Sequence, residues 1–163
     1  MFEIGGYPKG GVVAISGVSG AGKTMLALHY LAAARAREKT LFVSFYESPE
    51  LLARIAHMAG TTGASSLLKH AEFMWRPIGE NGLDELCLSI LEKVARLRAE
   101  RVVIDGIGGL MAATGFQERG EIFLAAFANE LRRTGATAGL TVGQQGASRA
   151  LSLNAATMSA LAD

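Results

Sequence analysis

Cysteine is almost missing from this sequence. Its one copy, Cys87, sits in the apolar pattern LDELCLSIL, so no intrachain disulfide framework can form and a reducing, cytoplasmic setting is the expectation. Charge imbalance is missing too, because 16 Lys and Arg against 15 Asp and Glu leave a formal net charge of +1. No overall field draws such a chain to nucleic acid or to an acidic membrane, and binding of that kind would need a local patch. No apolar run approaches the roughly 18 residues that suggest a membrane span, and the opening MFEIGGYPKGG lacks the charged-then-apolar order of a signal peptide. The three histidines, His29, His57 and His70, stand far apart without metal-ligand spacing. Internal repeats, low-complexity tracts and interdomain linkers are absent as well.

What is present suffices for one core. Half of the 163 residues are hydrophobic and 19% are charged, which fits a single domain over residues 1–163 and is too apolar for disorder. Apolar runs alternate with amphipathic stretches. GVVAIS (11–16) reads as a buried strand, the glycine-rich GVSGAGKT as a tight loop, and MLALHYLAAARAR (25–37) as a helix. LFVSF (41–45) is a second buried strand. PELLARIAHMAG follows as a helix, with Ser48 as N-cap, Pro49 at the first helical position and Gly60 as its stop. AEFMW (71–75) suggests a short strand. LDELCLSILEKVARLR spaces Leu83, Leu86, Ile90, Leu91, Val94 and Leu97 as one face of a helix. RVVID (101–105) is a core strand ending on a carboxylate, EIFLAAFANELRR (121–133) a helix, and ATAGLTV (136–142) the last clear strand. Strands separated by helices imply a parallel sheet covered on both faces. The tail GQQGASRALSLNAATMSALAD carries no clear element.

Two motifs carry chemistry. GVSGAGKT, comprising Gly17, Val18, Ser19, Gly20, Ala21, Gly22, Lys23 and Thr24, fits G-x-x-x-x-G-K-[ST] in full and lies between a strand and a helix, where a phosphate-binding loop must lie. Glycines let successive N–H groups wrap a phosphate, and the helix N-terminus adds partial positive charge. Lys23 is expected to reach the β- and γ-phosphates, and the Thr24 hydroxyl to take a position on Mg²⁺. The alternative is a glycine-rich turn that merely caps a helix. Asp105, closing RVVID, is the matching candidate for holding Mg²⁺ directly or through water; alone, an Asp at a strand end reads equally as a turn residue. Gln144 and Gln145 follow the last strand, where a side chain either senses the γ-phosphate or belongs to a solvated loop. The Met and Phe residues at helical spacing are most simply core.

With both motifs placed, the chain resembles the ATPase domain of the KaiC-like branch of the RecA superfamily. GGYPKGGVVAISGVSGAGKT is similar to that family's opening, LFVSFYESPELLARIA to its second strand and following helix, LDELCLSILEKV to its third helix and RVVIDGIGGL to its Mg²⁺ strand. FANELRRTGATAGLT and SALAD also match family positions, so coverage is nearly end to end. The resemblance implies a three-layer, RecA-like α/β P-loop NTPase fold with a mainly parallel central sheet. It also implies ATP and Mg²⁺, self-association into a ring, expected to be a hexamer, and a protein partner of the signalling or clock type.

Two departures from the family pattern bear on function. Relatives usually carry Phe-Glu-Glu-[Ser/Thr] at the end of the second strand, with the earlier Glu activating the attacking water; here that position is Tyr46, followed by Glu47. A phenol with an ordinary pKa near 10 is a poor base at neutral pH, whereas a carboxylate is ionised. Strand neighbours point to opposite faces, however, so Glu47 takes over that role only if the strand has ended or twists before it. Relatives also continue past the segment resembling SALAD into strands that reach a neighbour's nucleotide. Nothing follows Asp163, and the expectation is a domain truncated at its C-terminal strands, a naturally short member, or a fragment of a longer chain. In kinase-type relatives a hydroxyl pair lies near this last segment; here Ser159 is followed by Ala160, with Thr157 close by, so the pair itself is not reproduced.

Three functions compete on these residues. The leading one is an ATP-binding, ATP-hydrolysing regulatory domain that couples nucleotide state to subunit or partner contacts. A second is a nucleotide-gated interaction module with little turnover, motivated by Tyr46. The third, a DNA-binding recombinase module, would need clustered Lys and Arg in its DNA-contacting loops. GIGGLMAATGFQERGE has one arginine against two glutamates and GQQGASRALSLNAAT only Arg149, so nucleic acid is not an expected partner.

Overall fold

The computed structural model of the protein describes residues 7–58, 60, 71–77, 82–108 and 117–144. Within them the chain runs β1 (Val12–Val18), α1 (Lys23–Ala32), β2 (Thr40–Ser44), α2 (Pro49–Met58), β3 (Glu72–Trp75), α3 (Leu83–Leu97), β4 (Arg101–Asp105), α4 (Gln117–Arg133) and β5 (Thr137–Gln144). The five strands form one sheet in the order β1-β5-β4-β2-β3, and every pairing is parallel. This is the RecA-like α/β fold. The phosphate-loop strand β1 and the aspartate strand β4 are therefore not neighbours. β5, the last of the described strands, lies between them.

Side-chain alternation sorts the core into two layers. In β2, Phe42 faces one side while Leu41 and Val43 face the other; in β4, Val103 opposes Val102 and Ile104 in the same way. Phe42 and Val103 pack with Ala27, Leu28 and Leu31 of α1 and with Leu52 and Ala56 of α2. The opposite face packs on Cys87, Ile90 and Val94 of α3 and on Leu124, Phe127, Ala128 and Leu131 of α4. Helices on both sides satisfy a parallel sheet whose strands are apolar on both faces. The stripe read in LDELCLSILEKVARLR faces this core, with Leu83, Leu86, Leu91 and Leu97 at its partly buried margin.

The helix boundaries follow local chemistry. Ser48 Oγ accepts the Leu51 N–H at 3.4 Å and the Ser48 carbonyl accepts the Leu52 N–H at 3.0 Å, so α2 starts at Pro49 as read from the sequence. The Gly60 N–H closes its far end on the His57 carbonyl at 3.1 Å. α3 ends differently: Arg98 takes a left-handed conformation (φ 52°), and the next N–H, of Ala99, returns to the Val94 carbonyl at 3.0 Å.

Several boundaries depart from the sequence reading, three of them at α1, β1 and α4. MLALHYLAAARAR was expected to be helical to Arg37, but α1 stops at Ala32. Tertiary contacts override alanine's propensity here, because the Glu38 carboxylate accepts the Arg35 N–H at 3.0 Å and pairs with Arg101 of β4 at 2.8 Å. That tie turns the chain into β2. β1 runs beyond Ser16 through Gly17 and Val18, which pair with Gly143 and Gln144 of β5. α4 begins at Gln117, one turn ahead of the expected Glu121.

Candidate functional site

All of the buried polar residues among those described lie on strands: Thr40, Ser44, Asp105, Thr137 and Thr141. Alternation puts them on the face covered by α1. Ser44 is the register partner of Asp105, and Thr141 stands one step beyond the last β4–β5 pair, Ile104 and Leu140. The row Ser44, Asp105, Thr141 thus crosses three adjacent strands at their C-terminal ends. In open α/β sheets ligands bind at that edge. A cavity of about 450 Å³ opens there, and Lys23, Thr24, Tyr46, Glu47, Asp105 and Thr141 all line it.

The loop between β1 and α1 has the form a phosphate needs. Gly22 is the N-cap of α1 at φ 83°, a left-handed conformation that side chains disfavour, and its carbonyl starts the helix by accepting the Leu26 N–H at 2.9 Å. The free N–H groups of the first helical turn, beginning with Lys23, therefore sit at the cavity. Lys23 Nζ donates to the carbonyls of Gly17 (2.9 Å) and Val18 (2.8 Å). Among the described residues no carboxylate pairs with it. Its charge rests on backbone dipoles alone and is available to an anion.

Thr24 and Asp105 meet although 81 residues separate them: the Thr24 hydroxyl donates to Asp105 Oδ2 at 2.9 Å. The other carboxylate oxygen accepts from the Thr141 hydroxyl, which in turn accepts the Gly106 N–H at 2.8 Å. Asp105 is 4% exposed and held from two sides. The donor set is made of hard oxygens, as Mg²⁺ requires. Adjacent ligands on an octahedral ion with bonds of about 2.05 Å are about 2.9 Å apart, so the Thr24–Asp105 spacing fits. No group of three or more His, Cys, Asp or Glu forms an all-protein cage among the described residues. Mg²⁺ held here would complete its shell with phosphate and water.

β2 ends at Ser44, three residues before Glu47. The strand-parity objection to Glu47 therefore does not apply. The Glu47 N–H donates to Ser44 Oγ at 3.0 Å, and that hydroxyl lies 3.5 Å from the Glu47 carboxylate. Burial, and then the nearby Asp105 charge, push the Glu47 carboxyl above its ordinary value. Tyr46 is 58% exposed, and its ring lies against Gly106: a Cβ built on that glycine would come within 2.6 Å of the ring carbons. Gly106 also has φ 88°, so both its backbone and its neighbour ask for glycine. Burial and the Glu47 charge raise the phenol's pKa, which leaves it neutral.

Lys23, Thr24, Tyr46, Glu47 and Asp105 are thus brought to one cavity, together with Ser19, Gly20 and Gly22 of the loop. The backbone of Gln144 pairs with Val18 at the end of β5; its side chain, Gln145, His70, the loop after β4 at 109–116, and the tail with Arg149, Thr157 and Ser159 lie outside the described residues. His29 and His57 sit on separate helices, with His29 Nδ1 bonded to the Met25 carbonyl at 2.8 Å. Three contributors went unread in the sequence: Ser44, Gly106 and Thr141. The visible trace of Thr141 was a hydroxyl at alternate positions in ATAGLTV, shared with Thr137.

Comparison with known proteins agrees with this geometry. The protein RecA of Mesoplasma florum is 34% identical over 113 residues, which cover 68% of this chain but 30% of that protein's length. The family model described as the KaiC ATPase matches residues 1–156. With almost the whole chain inside that match, from the lead-in to the phosphate loop to beyond β5, the chain belongs to the KaiC family of ATPases in the RecA superfamily.

Proposed function

We propose that this domain binds ATP with Mg²⁺ at the C-terminal edge of its sheet, hydrolyses it, and uses the nucleotide state to control contacts between subunits or with a signalling partner. Membership of the KaiC ATPase family supports the nucleotide and the reaction class. The observation that carries the reading is the 2.9 Å contact between Thr24, at the end of the phosphate loop, and Asp105.

The residues divide the work. Loop N–H groups and Lys23 bind the phosphates, and the α1 N-terminus favours their charge. Mg²⁺, held by Thr24 and Asp105, would neutralise charge on the phosphate oxygens. Thr141 fixes the Asp105 carboxylate, and Ser44 holds the turn that presents Glu47. A carboxylate with a raised pKa is better matched to accepting a proton from water near neutral pH. Glu47 is the base in this reading, and Tyr46 forms a neutral wall beside it.

Calorimetric titration with Mg²⁺-ATP tests the binding step. Losing the Lys23 ammonium, a charged hydrogen-bond donor worth about 1.5–3 kcal/mol, should weaken affinity about 10- to 100-fold in Lys23→Ala. Unchanged affinity would sink the reading. Steady-state phosphate release tests the base, with Glu47→Gln expected to lower turnover by roughly 100-fold or more. Sedimentation with and without Mg²⁺-ATP tests the ring, expected as a hexamer that forms or tightens with nucleotide.

Tyr46 favours a second reading, a nucleotide-gated interaction module with little turnover. In that case the parent hydrolyses ATP barely above background and Tyr46→Glu gains turnover. Fast hydrolysis by the parent, unchanged in that variant, removes it.

A further inference from the structure

Tyr46 is not explained by ATP hydrolysis. It is an exposed aromatic lining a charged cavity, and its ring has a seat made for it, since only a glycine at position 106 leaves room. That seat adjoins Asp105 in the chain, and the tyrosine and the carboxylate that would carry the metal line the same cavity. Lys23 and Thr24 line the same cavity. Beside the phenol is Glu47, whose turn is pinned to Ser44. An O–H nucleophile, a carboxylate base and a phosphate-and-metal site therefore line one space of about 450 Å³.

We propose that Tyr46 is a phosphoryl acceptor, taking the γ-phosphoryl group of ATP bound in its own cavity. This rests on the ATP-binding reading and adds a second acceptor that competes with water. The phenolic oxygen forms a bond to the γ-phosphorus while the bond from that phosphorus to the β,γ-bridging oxygen breaks, and ADP leaves with the electron pair. The phenolic proton passes to the Glu47 carboxylate and from there to solvent. The raised pKa of that carboxyl suits it to receive the proton. A phenol is a weak nucleophile without such a base, which is why the pair matters rather than the tyrosine alone.

The reaction limits itself. Phosphotyrosine adds about −1.5 to −2 charges at neutral pH. Placed beside Glu47, in a cavity that Asp105 also lines, it opposes entry of a second ATP. One phosphoryl group per chain and a weakened affinity for new ATP are the expected end state.

The test is incubation of the full chain with Mg²⁺ and ATP labelled at the γ-phosphorus, followed by peptide mapping, with ATP binding measured by calorimetry on the same preparation. Label is expected at Tyr46, stable to alkali, and absent when the α-phosphorus carries it instead. Tyr46→Phe keeps the ring on Gly106 and should abolish the label. Glu47→Gln should slow labelling by roughly 100-fold. ATP that is bound while Tyr46 stays unmodified, or label found on Thr157 or Ser159 alone, overturns the proposal and leaves the ATP-binding reading standing. Failure to bind ATP overturns both.

Discussion

Thr141→Val tests whether one buried hydroxyl holds the metal side of the site. Valine has nearly the shape of threonine, so the substitution opens no cavity and removes only polar function. In the parent, the Thr141 hydroxyl donates to Asp105 and accepts the Gly106 N–H at 2.8 Å, with the side chain 2% exposed. The variant leaves that N–H without its partner, at about 1–3 kcal/mol, and strips a charged group of one hydrogen bond, at about 1.5–3 kcal/mol. The added methyl recovers about 1 kcal/mol by burial. Asp105 keeps Thr24, which argues for the lower half of the range, and the net loss should be about 3 kcal/mol. In a domain of this size that is roughly 6–12 °C in Tm. Thr141→Ser keeps the hydroxyl, loses one methyl, and should cost about 1 kcal/mol. Urea denaturation of parent and both variants gives the comparison, and Mg²⁺-dependent nucleotide affinity should fall in the valine variant but not in the serine one. If valine costs less than about 1 kcal/mol, or serine as much as valine, the bridging role is wrong.

Three further outcomes are expected. Gly106→Ala should cost about 1–2 kcal/mol for its left-handed backbone alone, plus the displacement of the Tyr46 ring. In a Tyr46→Ala background the second part vanishes, so strict additivity of the two substitutions in a double-mutant cycle would refute the ring contact. A carboxyl raised on folding, as Glu47 is, contributes stability that is complete below its unfolded value near 4.5 and lost as pH rises through the folded value. Glu47→Gln should accordingly be more stable than the parent at neutral pH and lose that advantage in acid, as read by thermal melts across pH. Arg98→Gly should stabilise by up to about 1 kcal/mol, because glycine takes the φ 52° cap without strain; a loss of stability would show that the arginine's own contacts dominate.

Local chemistry made much of this legible. The phosphate loop, the strand ending at Asp105 and the Ser48–Pro49 helix start each depend on residues adjacent in sequence, and each could be read there. The extent of α1 could not, because Arg101, far along the chain, holds Glu38 and with it the turn into β2. Thr141 was hidden for a related reason. In ATAGLTV it is one hydroxyl in a buried strand, and its meaning appears only when β5 is known to lie beside β4. The doubt over Glu47 concerned whether the β2 ladder reached position 47. Where a ladder ends is decided by the neighbouring strand, here by the pairing of Ser44 with Asp105.

The position of β5 has a consequence for how the molecule comes to exist. β1 pairs with β5 alone among the described strands, and the first bonded register joins Val12 to Ala138. During synthesis, then, β1 and its phosphate loop are made first and wait for nearly the whole domain before they have a strand to pair with. Closing so long a loop is slow compared with forming the local helices. A nascent chain ending before residue 137 can hold α1 packed on the β4-β2-β3 ribbon, but β1 has no strand to pair with and the phosphate loop is anchored at its α1 end only. Nucleotide affinity should therefore appear late and abruptly along the growing chain, when β5 slides in between β1 and β4.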